Sequence, residues 1–252
     1  MSTDTSTNDT DQFNVLLREN WKEVFFDSGC DDWRKLWFLD GKRAVITNTA
    51  QGMDFHAGPT FLDDACHAVL WTKVAFAGDL KIEYEFIRLD REYRCVNILY
   101  LQATGSGEGS YAKDISQWNH LREIPAMREY FGHMFAYHIS YAAFSNTDTI
   151  EPGYIRARRY MAAELDGTEL EPDYDPTGFF DYEVPHTMTI IKAGDHIYFQ
   201  IANEQKELLC HWHNTKFPSI TEGRIGLRHM FTRASRYRNF SIATLNNRKN
   251  KE

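Results

Sequence analysis

The stretch Ala136-Tyr137-His138-Ile139-Ser140-Tyr141-Ala142-Ala143-Phe144 decides the fold class. Period-two alternation sends Tyr137, Ile139, Tyr141 and Ala143 to one face of an extended segment and His138, Ser140 and Ala142 to the other. It predicts a strand that is apolar on one side and presents titratable groups on the other. Five more segments have the same character: Cys66–Trp71, Val96–Gln102, Tyr154–Tyr160, His211–His213 and Leu227–Phe231. Each places His, Arg, Asn, Gln, Trp or Tyr inside an apolar strand pattern, as the lining of a sugar-binding cleft would require.

Working outward, short strand patterns recur from Trp37 to Thr244, with a two-residue hairpin turn expected at Gly194-Asp195. About thirteen such strands without alternating long helices predict an all-β fold, a two-sheet antiparallel β-sandwich of jelly-roll type with long loops and one or two short helices. Residues 1–12 form a polar Ser/Thr/Asp-rich tail, expected to be disordered. Residues 13–246 form a single sandwich domain, and 247–252 a polar C-terminal tail. A short helix is expected within Asn14–Phe26. Two insertions interrupt the strands: 104–132, with a helix expected over Trp118–Tyr130, and the acidic, proline-bearing 161–182. Loops of this length on a rigid sandwich commonly carry function.

Composition narrows the class. The 252 residues are 42% apolar and 25% charged, which argues against disorder and membrane spans alike. A net charge of −8 disfavours nonspecific nucleic-acid binding and still allows a local basic cleft for an acidic ligand. The four cysteines form no C-x-x-C, so neither a zinc knuckle nor a redox pair is signalled. The N-terminus shows neither a basic nor an apolar signal region, so the cytoplasm is the expected compartment, or the periplasm if a signal peptide has been removed.

Candidate chemistry follows from face assignments. His138 shares a face with Ser140 and can move a proton near neutral pH, whereas Tyr141 points the opposite way. Tyr154, Arg156, Arg158 and Tyr160 share a face, and two guanidinium forks on one strand suit a carboxylate or sulfate. The bland alternative is a solvated face neutralised by the acidic loop that follows. Asn97 and Gln102 offer neutral amides. His67 and Trp71 pair a proton-transfer group with a stacking platform. Arg228 and His229 open a basic stretch that could line the same cleft. His211 and His213 share a face but have no evident third ligand, so no metal site is assigned. Glu83 and Glu85 have the spacing of a retaining glycosidase pair, yet Leu80, Ile82, Tyr84 and Phe86 mark their strand's buried face and turn both acids outward.

The combination of His67–Trp71, Tyr137–Tyr141, Ile155–Arg159, Met188–Lys192, Ile197–Ile201, Gly223–Met230 and Tyr237–Phe240 resembles the DUF1961 family, which includes the YesU-like proteins, over roughly residues 35–244. The resemblance implies a concanavalin A-like jelly roll and a place in the breakdown of uronate-rich polysaccharides. It transfers no catalytic set. The expected activity is therefore that of a carbon–oxygen lyase or dehydratase acting by β-elimination on a uronic-acid-containing oligosaccharide. His138 or His67 would be base and Tyr141 or Tyr154 acid; Arg156, Arg158 and Arg228 would clamp the carboxylate, with Asn97, Gln102, Trp71 and His229 completing the binding set. The alternatives are a glycoside hydrolase on acidic oligosaccharides and a noncatalytic carbohydrate-binding protein. No cofactor is expected; a structural Ca²⁺ stays open, since the loops are acid-rich without EF-hand spacing. The expected partner is an acidic oligosaccharide, with no nucleic acid and no membrane, and the oligomeric state is not legible.

Overall fold

The computed structural model describes residues 3–145 and 149–245. Two antiparallel sheets of eight strands each face one another. The first runs β14 (Glu207–His213), β13 (His196–Ala202), β12 (Pro185–Ala193), β7 (Leu80–Arg88), β16 (Ala234–Leu245), β4 (Gly52–His56), β3 (Val45–Thr49), with β1 (Trp21–Asp27) also on β16. The second runs β11 (Glu169–Tyr174), β10 (Tyr154–Met161), β9 (Met134–Ala143), β8 (Asn97–Gly105), β15 (Glu222–His229), β5 (Ala68–Thr72), β2 (Trp37–Asp40), with β6 (Phe76–Ala77) also on β15. No helix among the described residues is long and apolar enough to cross a membrane.

Alternation sets the layers. Ile82, Tyr84 and Phe86 of β7 meet Leu99, Leu101, Tyr137, Ile139 and Tyr141 of the second sheet in the core between the sheets. The opposite side chains of the second sheet build another apolar cluster on its outer face. There Val69, Trp71, Ile98, Tyr100, Ala136 and Tyr160 pack against Ile115, Trp118 and Tyr130 of the first insertion. Trp71 lies across β15 at Gly226, where an added Cβ would come within 2.4 Å of the indole ring.

Three strands were not expected from the sequence: β1, β6 and β11. In β1, Phe25 and Asp27 are buried, and the strand pairs with β16, so Trp21–Phe25 belongs to a sheet rather than a helix. Helix α1 (Thr3–Leu17) instead occupies the stretch read as a disordered tail. It is held by buried Phe13, which packs with Ile191 and Tyr198 of the first sheet. The C-terminal tail, 247–252, lies outside the described residues. The helix expected over Trp118–Tyr130 divides into a 3₁₀ segment (Ile115–Arg122) and α2 (Met127–Phe131), with Pro125 between them. Proline lacks the N–H and restricts the preceding residue, so one helix cannot run through.

The insertion is fastened to the sheet by one buried carboxylate. Asp40 Oδ2 accepts from Trp71 Nε1 at 2.7 Å, Arg122 Nε at 2.6 Å and the Tyr130 hydroxyl at 2.9 Å, while Oδ1 accepts from Asn119 Nδ2 at 2.6 Å. Both side chains of the Asp40–Arg122 pair are fully buried. Removing one charge strands the other in a medium that cannot solvate it. Asp40→Asn is therefore expected to lower unfolding free energy by about 3–5 kcal/mol in urea titration, and a loss under about 1 kcal/mol would contradict this role.

Candidate functional site

The insertion covers only part of the second sheet's outer face. Its aromatic residues lie over β5, β15 and β8, where Trp71, Tyr100 and Tyr130 stack nearly parallel at centroid distances of 5.3 and 5.9 Å. Toward β9, β10 and β11 the face turns polar. Cross-strand register sets two adjacent rows: Gly226, Tyr100, His138 and Arg158 in one, and Arg228, Ile98, Ser140 and Arg156 in the next.

His138 is the centre of this polar half. Its Nδ1 is 2.5 Å from the Tyr160 hydroxyl and its Nε2 is 2.7 Å from Ser140 Oγ. Burial, and then the charges of Arg158, Arg228 and Arg156, hold its pKa well below the usual imidazole range. A neutral imidazole has one N–H, so one contact donates and the other accepts. Burial likewise pushes the Tyr160 phenol well above its ordinary pKa. The two rings stand almost perpendicular, 5.0 Å apart. His138 and Ser140 are 5% and 6% exposed, so only their edges reach the surface.

The arginines at the rim are already neutralised. Arg156 Nε and Nη2 donate to Asp173 at 2.8 and 2.5 Å, and Arg158 Nη1 donates to Glu169 at 2.5 Å. Both acids come from β11, so Arg156 and Arg158 are not the free anion clamp expected from the sequence. Tyr154 packs at the same rim, with the Arg156 guanidinium 5.1 Å from its ring centre.

Arg228 is a different case. Its side chain is fully buried, its guanidinium carbon lies 4.4 Å over the Tyr130 ring, and Nη2 donates to Pro125 O at 2.7 Å. Nε and Nη1 have no partner, and neither has the buried Tyr100 hydroxyl. His67 lies near the same charge. Burial and Arg228 depress its pKa to about 2, Nε2 is 3.3 Å from Asp64, and the ring lies 4.0 Å from that of Phe231.

The remaining expected site residues lie elsewhere. Tyr141 faces the core between the sheets, where its hydroxyl is 3.1 Å from that of Tyr237, which in turn is 2.8 Å from His229 Nε2. His229 stacks on Phe55 at 4.2 Å, and Asn97 donates to Ser235 Oγ at 2.9 Å within the same interior group. These three cannot reach a ligand on the outer face. Gln102 sits at a register irregularity of β8 with φ of 51°, and its amide donates to the carbonyls of Phe76 and Gly78. That bulge takes it off the face it would share with Tyr100. Trp71, fully buried in the ring stack and bonded to Asp40, offers no open platform.

Two other sequence signals resolve on the first sheet. Glu83 pairs with Lys81 at 2.6 Å and Glu85 accepts from Asn239 at 2.6 Å, so the glycosidase-like spacing is remote from the polar face. His211 bridges Asp9 of α1 at 3.0 Å and His196 at 2.9 Å. Among the described residues no group of three or more His, Cys, Asp or Glu side chains is placed to hold a metal ion. Tyr160, Tyr100 and Tyr130 were not among the expected site residues. Alternation places Tyr160 on the Arg156–Arg158 face, but only register shows that it reaches His138.

Comparison with known proteins agrees with this architecture. A Bacillus subtilis protein of unknown function with a galectin-like fold superposes with a TM-score of 0.68 at 21% identity, over 90% of this chain and 100% of that one. Basic winged bean lectin, solved with Tn-antigen, gives 0.57 at 10% identity over 89% and 100%. The exoplasmic/lumenal domain of VIP36, solved with Ca²⁺ and Man3GlcNAc, gives 0.56 at 12% over 90% and 91%. At such identities the likeness concerns the fold, a concanavalin A-like sandwich. No curated protein matches the chain. The description "Domain of unknown function (DUF1961)" matches residues 28–242, and the chain therefore belongs to the DUF1961 family.

Proposed function

We propose that this protein binds a saccharide on the polar half of the second sheet's outer face. The observation that carries this reading is the cluster of His138, Ser140 and Tyr160 edged by the Arg156–Asp173 and Arg158–Glu169 pairs. Each pair keeps unused donors and acceptors at the rim. Arg156 retains Nη1, Arg158 retains Nε and Nη2, and the carboxylates retain lone pairs; sugar hydroxyls, which both donate and accept, match such an edge. The reading is supported by the sandwich fold, which the winged bean lectin and VIP36 use while holding saccharides. Calorimetric titration against a panel of neutral and acidic oligosaccharides should find a ligand. Arg156→Ala and Ser140→Ala should each weaken its binding by about tenfold. Failure of the whole panel to bind, or undiminished affinity in both variants, would remove the site.

One observation favours a second reading, in which the bound sugar is a uronate and undergoes β-elimination. His138 is held neutral in contact with a phenol, which is the pairing that chemistry needs. The imidazole would take the C5 proton alpha to the carboxylate, a carbon–carbon double bond would form as the C4–O bond breaks, and a tyrosine hydroxyl would return a proton to the leaving oxygen. Here Tyr160 replaces Tyr141 as the acid, because Tyr141 faces the interior. Incubation with uronate oligosaccharides should raise the ultraviolet absorbance of a conjugated alkene, and His138→Ala should slow this by about 10²–10⁴-fold, far more than it weakens binding. Binding without any absorbance rise would leave a noncatalytic saccharide-binding protein.

Such an eliminase would have a distinctive acid limb. Because the folded environment lowers the His138 pKa, the base stays unprotonated below the ordinary imidazole value of about 6.5, and activity should persist on the acid side of it. A profile that halves near that ordinary value would show that His138 is not the base.

A further inference from the structure

Resting on the saccharide reading, we infer that Arg228, together with the Tyr100 hydroxyl, is the point that selects a carboxylate-bearing sugar, and that Arg156 and Arg158 are not. A fully buried guanidinium is costly unless an anion or several acceptors meet it. Arg122 has Asp40 at 2.6 Å, and Arg233 has Asp90 at 2.9 Å. Arg228 has a single carbonyl, Pro125 O, and a ring face. Asp40, which accepts the hydroxyl of that same Tyr130 ring, is committed to Arg122, Trp71 and Asn119.

The groups without a partner around this charge are Arg228 Nε and Nη1, the Tyr100 hydroxyl and His67 Nδ1. Tyr100 precedes His138 in one cross-strand row, and Arg228 lies in the row of Ser140. β8 lies between β15 and β9, about 4.8 Å from each, and its buried Tyr100 ring packs against His138 at 5.7 Å. The influence of Arg228 on both His138 and Tyr100 is consistent with that proximity. A carboxylate supplies lone pairs to these donors and cancels the buried charge. Pro125, whose carbonyl caps Nη2, belongs to the insertion that covers the guanidinium.

The test compares a uronate oligosaccharide with its carboxyl-reduced, neutral counterpart, using the whole protein, Arg228→Gln, Arg228→Lys and the double variant Arg156→Gln/Arg158→Gln. Wild type should prefer the acid by roughly 10- to 100-fold. Arg228→Gln should lose that preference while still binding the neutral sugar. Arg228→Lys should keep part of it, and the double variant should bind both sugars more weakly with the preference intact. Equal affinity of wild type for both sugars, or a preference surviving in Arg228→Gln, would overturn the assignment and leave the saccharide site standing. Should neither sugar bind wild type, the saccharide reading itself fails. Thermal stabilisation by free glucuronate, seen in wild type and absent in Arg228→Gln, still decides the role of Arg228: its absence in wild type overturns the assignment.

Discussion

The outer face of the second sheet is organised by Asp40. A jelly-roll sheet needs only its inner face for the core, and this protein fills much of the other face with an insertion rich in aromatic residues. That arrangement holds because one buried carboxylate collects donors from both partners: Trp71 from the sheet, and Asn119, Arg122 and Tyr130 from the insertion. The bonds fix the edge of the aromatic stack and hence the boundary between covered and open sheet. They also place Tyr130 beneath Arg228, so a structural fastening shapes the electrostatics of the candidate site.

The open half is built on a different principle. Its polar groups are satisfied in pairs, His138 with Tyr160 and Ser140, Arg156 with Asp173, Arg158 with Glu169, and the pairs leave lone pairs and N–H groups at the rim. Arg228, on the half that the insertion covers, is by contrast buried and short of partners. Orphaned buried donors are uncommon in folded proteins, and two of them belong to this one guanidinium. The desolvation that isolates Arg228 also depresses the His138 pKa.

The sandwich was legible because alternation in Ala136–Phe144 and its companions states which side chains face inward. By that rule Tyr141 and Asn97 belong inside, and the structure puts them there; including them in a cleft followed residue type rather than face. Cross-strand register was not legible, so the reach of Tyr160 to His138 could not be seen. Neutralisation of Arg156 and Arg158 by the acidic segment that follows was legible as the alternative reading; that the acids act from a strand was not, because β11 carries Pro172 and a run of acids that suppress any strand signal, as an edge strand can. Helix α1 was hidden for a related reason. Its first turns are Ser/Thr/Asp-rich, and its packed residues, Phe13, Leu16 and Leu17, lie only at its C-terminal end.

On the proposed reading a sugar would sit beside His138 and Ser140, not elsewhere on the sandwich. A crystal structure of the protein with an acidic disaccharide tests it most directly. Ligand density is expected over β9 and β10, with a hydroxyl in hydrogen-bond contact with Ser140 or the Arg156–Asp173 pair. Density confined to the outer face of the first sheet, or to the loops at either end of the sandwich, would contradict it.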